Sequence, residues 1–76
     1  MSSITYSFKK LMNMTKEEIE EKIVGHKAKS TNDENFAFVR SVELSSNPER
    51  LPVGIYIGNQ YFDFRQDRYL EVLDND

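Results

Sequence analysis

The clearest alternation in the chain runs from Val53 to Phe64. Val53, Ile55 and Ile57 alternate with Gly54 and Tyr56, then Phe62 and Phe64 alternate with Tyr61 and Asp63, on either side of Gly58-Asn59. Period-2 alternation marks strands, and a two-residue Gly-X loop marks a type II′ hairpin. The loop fixes a register: Ile57 opposite Gln60, Tyr56 opposite Tyr61, Ile55 opposite Phe62, Gly54 opposite Asp63, Val53 opposite Phe64. One face then holds Val53, Ile55, Ile57, Phe62 and Phe64. The other holds Gly54, Tyr56, Tyr61 and Asp63. Turn chemistry and face pattern agree, as they do in a real hairpin. A third strand, Arg68 to Leu73, is expected to return beside Phe62 through a loop at Arg65-Gln66-Asp67. That spacing pairs Phe62 with Leu70 and keeps Val72 on the core face. A loop shorter by one residue sets the Glu71 carboxylate against Phe62, which is costly. The C-terminal third therefore reads as a β-meander, with Asp74-Asn75-Asp76 a frayed tail.

The best helix signal spans residues 15–24. Thr15 is placed to cap it, with Glu18 three residues on completing a capping box, and Met14 and Ile19 in the positions of a hydrophobic staple. Glu17 and Glu18 suit the positive end of the helix dipole. Gly25 follows as a C-terminal stop, with His26-Lys27 adding positive charge there. The apolar stripe is thin (Ile19, Ile23, Val24), so the helix needs something to pack against. Residues 4–8 alternate, with Ile4, Tyr6 and Phe8 on one side, and predict a strand. The spacing of Phe8, Leu11 and Met12 supports a helix as the rival. Residues 29–35 read as a polar loop. Phe36 to Leu44 read as a strand with Phe36, Phe38, Val42 and Leu44 on one face, interrupted by Arg40, which implies a bulge or an edge. Pro48 and Pro52 exclude regular structure from residues 45–52.

These elements predict an α+β fold: a single domain over residues 1–76, with one short helix on an antiparallel sheet of four or five strands. The expected core is Ile4, Phe8, Ile19, Ile23, Phe38, Val42, Ile55, Ile57, Phe62, Phe64, Leu70 and Val72. At 76 residues the chain is too short for a second domain, and small enough that a homodimer is compatible with it.

Composition narrows the chemistry. There is no cysteine, so no disulfide and no zinc-thiolate site, and His26 is the sole histidine. His26 reads as a solvated residue at a helix end. The three glycines are scattered, so no phosphate-cradling loop is present. Asn32-Asp33-Glu34-Asn35 lacks the spacing of a calcium loop. Asp63 and Glu71 are expected on an exposed face, without the burial that tunes a general acid. No catalytic residue, metal ligand or cofactor is assigned. No apolar run is long enough for a membrane span, and a cytoplasmic protein is expected.

Net charge is -3, and it is unevenly spread: residues 1–30 carry six Lys against four Glu (+2), residues 31–76 four Arg against nine carboxylates (-5). An acidic surface favours a protein partner with a basic or mixed-charge surface and disfavours nucleic acid. What is left over is the polar face of the meander: Tyr56 and Tyr61 as cross-strand neighbours, Tyr69 one strand away, Asp63 and Glu71 around them, Arg65 and Arg68 at the end. Tyrosine offers large area, few rotors and a polar tip, so this is the expected partner-binding site. The expected function is a small acidic, non-enzymatic protein-binding module. It would act stoichiometrically, as an inhibitor or regulator of the kind phages and mobile elements carry. The alternatives are a weak nucleic-acid binder using Lys9, Lys10, Lys16, Lys22, Lys27 and Lys29, or a small oligomeric structural subunit.

Overall fold

The computed structural model describes residues 2–46 and 51–73. The expected turn at Pro48 and the expected frayed tail at 74–76 lie outside the described residues. The elements in chain order are β1 (Ser3–Ser7), α1 (Phe8–Met12), α2 (Lys16–Lys22), β2 (Lys27–Ser30), β3 (Ala37–Leu44), β4 (Pro52–Ile57), β5 (Gln60–Asp63) and β6 (Tyr69–Leu73). The six strands form one antiparallel sheet in the order β1-β6-β2-β3-β4-β5. The fold is α+β, as the pattern predicts, with one strand more than the upper expectation.

The hairpin takes the register that its loop dictates. Gly54 faces Asp63, Ile55 faces Phe62, Tyr56 faces Tyr61 and Ile57 faces Gln60. The pairing runs on to the Phe64 N–H, which donates to the Val53 carbonyl at 2.9 Å. Gly58 turns the chain with φ +58, a conformation a side chain would strain. The Thr15 capping box also forms. The Glu18 N–H donates to Thr15 Oγ1 at 3.1 Å, and the Thr15 N–H donates to Glu18 Oε1 at 3.0 Å. Met14 and Ile19, the staple pair, are both buried.

At the N-terminus strand and helix are both present, in succession. β1 ends at Ser7, whose Oγ accepts from the Lys10 N–H at 3.1 Å and caps α1. Phe8 and Leu11 are fully buried on this single helical turn. The Phe8 ring meets Phe62 and Phe64 edge-on, with centroids 6.4 and 5.6 Å away. β1 and β5 are opposite edges of the sheet, so these contacts require the sheet to curl around its core. Both helices close the inside of the curl: Leu11, Ile19 and Ile23 pack with Ile55, Ile57, Phe62 and Phe64. On the outer face Phe38, Tyr56, Tyr61 and Tyr69 are exposed.

Four expectations need correction. First, β6 does not return beside β5. It lies between β1 and β2, with Tyr6 opposite Leu70 and Ser30 also opposite Leu70. Leu70 and Val72 still face the core, because alternation fixes which side chains point inward but not which strand lies alongside. Second, Lys27–Ser30 is a strand rather than a helix end and a loop. Its inward residues are Ala28 and Ser30, both fully buried and too small or polar to register as a hydrophobic alternation. His26, just before it, is half-buried rather than solvated. Third, Pro52 opens β4 and is buried. Proline is tolerated at the first residue of a strand. Fourth, Phe38 and Ile4 are not core residues; they are 55% and 45% exposed. Ile4 points inward opposite Val72 but sits on an edge strand.

Phe38 is displaced by a bulge. Val39 pairs with Ile57 and Ser41 with Tyr56, so Arg40 is the extra residue. Val39 and Val42 consequently both face inward, three residues apart, and the side chains before the bulge are inverted relative to a single alternation. Arg40 Nη1 donates to the Gly58 carbonyl at 3.1 Å, tying the bulge to the hairpin turn.

Candidate functional site

The outer face divides into two aromatic clusters. The first lies on β3, β4 and β5. Tyr56 and Tyr61 face each other across the hairpin with ring centroids 5.0 Å apart, and they are 37% and 41% exposed. Glu43, opposite Gly54, and Asp63 belong to the same face. The Tyr61 ring lies across Gly54: a side chain at position 54 would collide with its hydroxyl end. An aromatic ring from the neighbouring strand thus covers the strand glycine.

This seat explains the acidity of Tyr61. The residue is substantially exposed, yet its hydroxyl is the sheltered end. Burial there, followed by the Glu43 carboxylate, its hydrogen bond from the phenol, and the nearby Asp63 charge, pushes Tyr61 up to about 12. Asp63 is shifted the other way. Arg65 Nη2 donates to its Oδ2 at 2.7 Å, and the Arg65 N–H donates to Oδ1 at 2.8 Å. These bonds hold Asp63 down to about 2. The Asp63–Arg65 pair closes the end of β5 and turns the chain away from the sheet.

The second cluster lies on β6, β2 and β3. Lys27 faces Phe38, and its Nζ lies 5.3 Å from the ring centroid. Lys29 Nζ lies 5.5 Å from the centroid of Phe36. Glu71 is paired with Thr5 on one side and Lys29 on the other, and accepts from Ser3 Oγ at 3.0 Å. Tyr69 is 55% exposed; its backbone is held by Thr31 Oγ1, which accepts from the Tyr69 N–H at 2.9 Å.

Of the seven residues expected to form one site, four come together: Tyr56, Tyr61, Asp63 and Arg65. Tyr69 and Glu71 do not join them. They sit on β6, separated from β4 by β2 and β3, about 14 Å by strand spacing. Arg68 is elsewhere again, its guanidinium 5.8 Å from the ring centroid of Phe62, on the core side. The separation follows from the absence of the β5–β6 pairing. Glu43 was missed in sequence because its place depends on the β3–β4 register, which the bulge conceals. Phe38 was missed as a surface residue for the same reason.

Among the described residues, no three His, Cys, Asp or Glu side chains converge as a metal site requires. Nor is any helix there long and apolar enough to cross a membrane. No protein-family model, curated protein or solved structure matches this chain.

Proposed function

We propose that the protein is a non-enzymatic binding module that covers a surface of another protein with the tyrosine cluster of β4 and β5. The carrying observation is that the Tyr56 and Tyr61 rings pack against each other, tilted, on the outside of the sheet while both helices pack on its inside. Paired tyrosines present a broad surface that loses little side-chain entropy on docking. Glu43, Asp63 and Arg65 supply both signs of charge at the rim, which suits a partner of mixed charge. The part played is stoichiometric, as an inhibitor or regulator in the cytoplasm.

The test is affinity capture from native lysate with wild type, a Tyr56→Ser/Tyr61→Ser double variant, and Tyr69→Ser, with circular dichroism to verify each fold. The double variant is expected to lose the partner and Tyr69→Ser to keep it. Equal capture by all three would remove the tyrosine cluster from consideration.

A further inference from the structure

The two edges of the sheet differ in how they are protected. At the end of β5, Asp63 is ion-paired with Arg65, and its carbonyl accepts from the Gln66 N–H at 3.1 Å. At the other edge β1 has none of the usual guards. It carries no charged residue and no proline, and its register with β6 is unbroken from Ser3 to Ser7. Hydrogen bonds on the two sides of β6 fix which way the β1 backbone points. The Phe8 N–H donates to the Arg68 carbonyl at 3.0 Å, while the Tyr69 N–H and carbonyl both bond Thr31 Oγ1, on the β2 side. Bonded and unbonded pairs alternate in an antiparallel ladder, so on β1 it is Ile4 and Tyr6 whose backbones bond β6. Ser3 and Thr5 therefore turn their N–H and carbonyl groups outward, and Ser7 its N–H. Among the described residues no strand pairs with this edge.

The sequence of β1, Ser-Ile-Thr-Tyr-Ser, has the same pattern read in either direction. An antiparallel copy related by a twofold axis at Thr5 sets Thr5 against Thr5, Ser3 against Ser7 and Ile4 against Tyr6. The Thr5 pair then falls on the outer face of the sheet and the Ile4–Tyr6 pairs on the inner face. Threonine–threonine and aliphatic–aromatic pairs are both favourable across strands. Ile4 points inward yet is 45% exposed, and Tyr6 of the second copy would cover it. The strand is uncharged, so two copies of a chain of net charge -3 meet along it without like charges face to face.

We propose that β1 pairs with β1 of a second copy of this chain, joining two six-stranded sheets into one. The interface is a single short strand pair, smaller than the roughly 1,200 Å² of lasting complexes. The dimer is therefore weak, with a Kd between about 1 μM and about 1 mM. The tyrosine cluster lies toward the far edge of the sheet, so the dimer presents it twice. The pairing itself does not rest on what that cluster binds.

The test is sedimentation equilibrium of the full chain from about 10 μM to about 1 mM, with circular dichroism to verify the fold of each variant. Wild type should move from monomer mass toward dimer mass over this range. Thr5→Lys sets two ammonium groups face to face at the axis and should weaken association about five-fold. Thr5→Glu should do the same. An equimolar mixture of those two variants should associate at least as well as wild type, because opposite charges then meet. Thr5→Pro removes an N–H that β6 does not use, so it should fold and stay monomeric. Tyr56→Ser/Tyr61→Ser should dimerise like wild type. The proposal is overturned if wild type keeps monomer mass throughout, if Thr5→Lys or a folded Thr5→Pro associates like wild type, or if the mixture does no better than either variant alone. A dimer lost in Tyr56→Ser/Tyr61→Ser but kept in Thr5→Lys would put the contact on the tyrosine face and overturn it as well. Should Thr5→Pro not fold, Thr5→Lys and Thr5→Glu decide.

Discussion

The two halves of the outer sheet face carry exposed rings in similar number but hold them by opposite means. On β4 and β5 the rings are phenols tied to carboxylates: Tyr61 is seated over Gly54 and bonded to Glu43, and Asp63 is bonded in turn to Arg65. Beside β2, the rings are the phenyls of Phe36 and Phe38, with the ammonium groups of Lys29 and Lys27 over them. The first half is a fixed surface in which the Tyr61 hydroxyl and the Asp63 carboxylate are already bonded. The second is held by contacts between long cationic side chains and ring faces. The contrast shows that exposure alone does not define a binding surface. What matters is which groups must be displaced before a ligand can arrive, and here that differs across a single sheet.

Gly54→Val should produce the largest change, because it strikes the fixed half. The new side chain collides with the Tyr61 ring. A stability loss of about 1–3 kcal/mol is expected in urea unfolding. The phenol should also leave its seat and ionise nearer its ordinary value. An unchanged midpoint would show that the ring does not rest on the glycine.

A milder perturbation is Glu43→Gln. In wild type one phenol is expected to ionise near 12 rather than 10.0, read by ultraviolet absorbance. Since the folded value is raised, the fold favours the neutral phenol. Its contribution is complete below pH 10.0 and is lost as the pH rises through about 12. The variant should bring that ionisation down.

Asp63→Asn probes the same half from the acid side. The folded carboxyl sits at about 2 against an ordinary 3.8, so its contribution exists above 3.8 and disappears as the pH falls through 2. Wild type and variant should differ slightly in denaturation midpoint at neutral pH and converge in strong acid. The difference should be small, because exposed ion pairs are screened. A gap that persists at the lowest pH would assign the effect to something other than the Arg65 pair.

The smallest effect should come from the second half. Phe38→Ser should leave stability within about 0.5 kcal/mol of wild type, since the ring contributes little to the core. A larger loss would mean that Phe38 supports the fold, and the contrast between the halves would narrow.

Sequence reasoning succeeded where the controlling interactions were local. The Gly58 turn determines the hairpin register, and Thr15 with Glu18 determines the helix start, so both were legible in a few adjacent residues. The candidate site was legible to the same extent: Tyr56, Tyr61, Asp63 and Arg65 are held together by the hairpin and the turn after it. What failed was long-range or concealed. Leu70 and Val72 turn inward beside any neighbour, so nothing in 68–73 reveals that β1 and β2 are their partners. Lys27–Ser30 buries Ala28 and Ser30, which carry no hydrophobic signal. A single extra residue at Arg40 inverted the face of Phe38, and with it the assignment of that ring to the core.

The seat of β6 between β1 and β2 has a consequence for the order of events as the chain is made. Ser3 finds its partner only at Leu73, and Ala28, already paired with Ala37, finds its second only at Val72, whereas β3, β4 and β5 pair with immediate sequence neighbours. Contacts across such separations form slowly, and they cannot form at all before the later residue exists. On the ribosome the tyrosine hairpin can therefore stand while the first strand is still searching, and the lysine-bearing strand gains its second neighbour among the last steps of assembly.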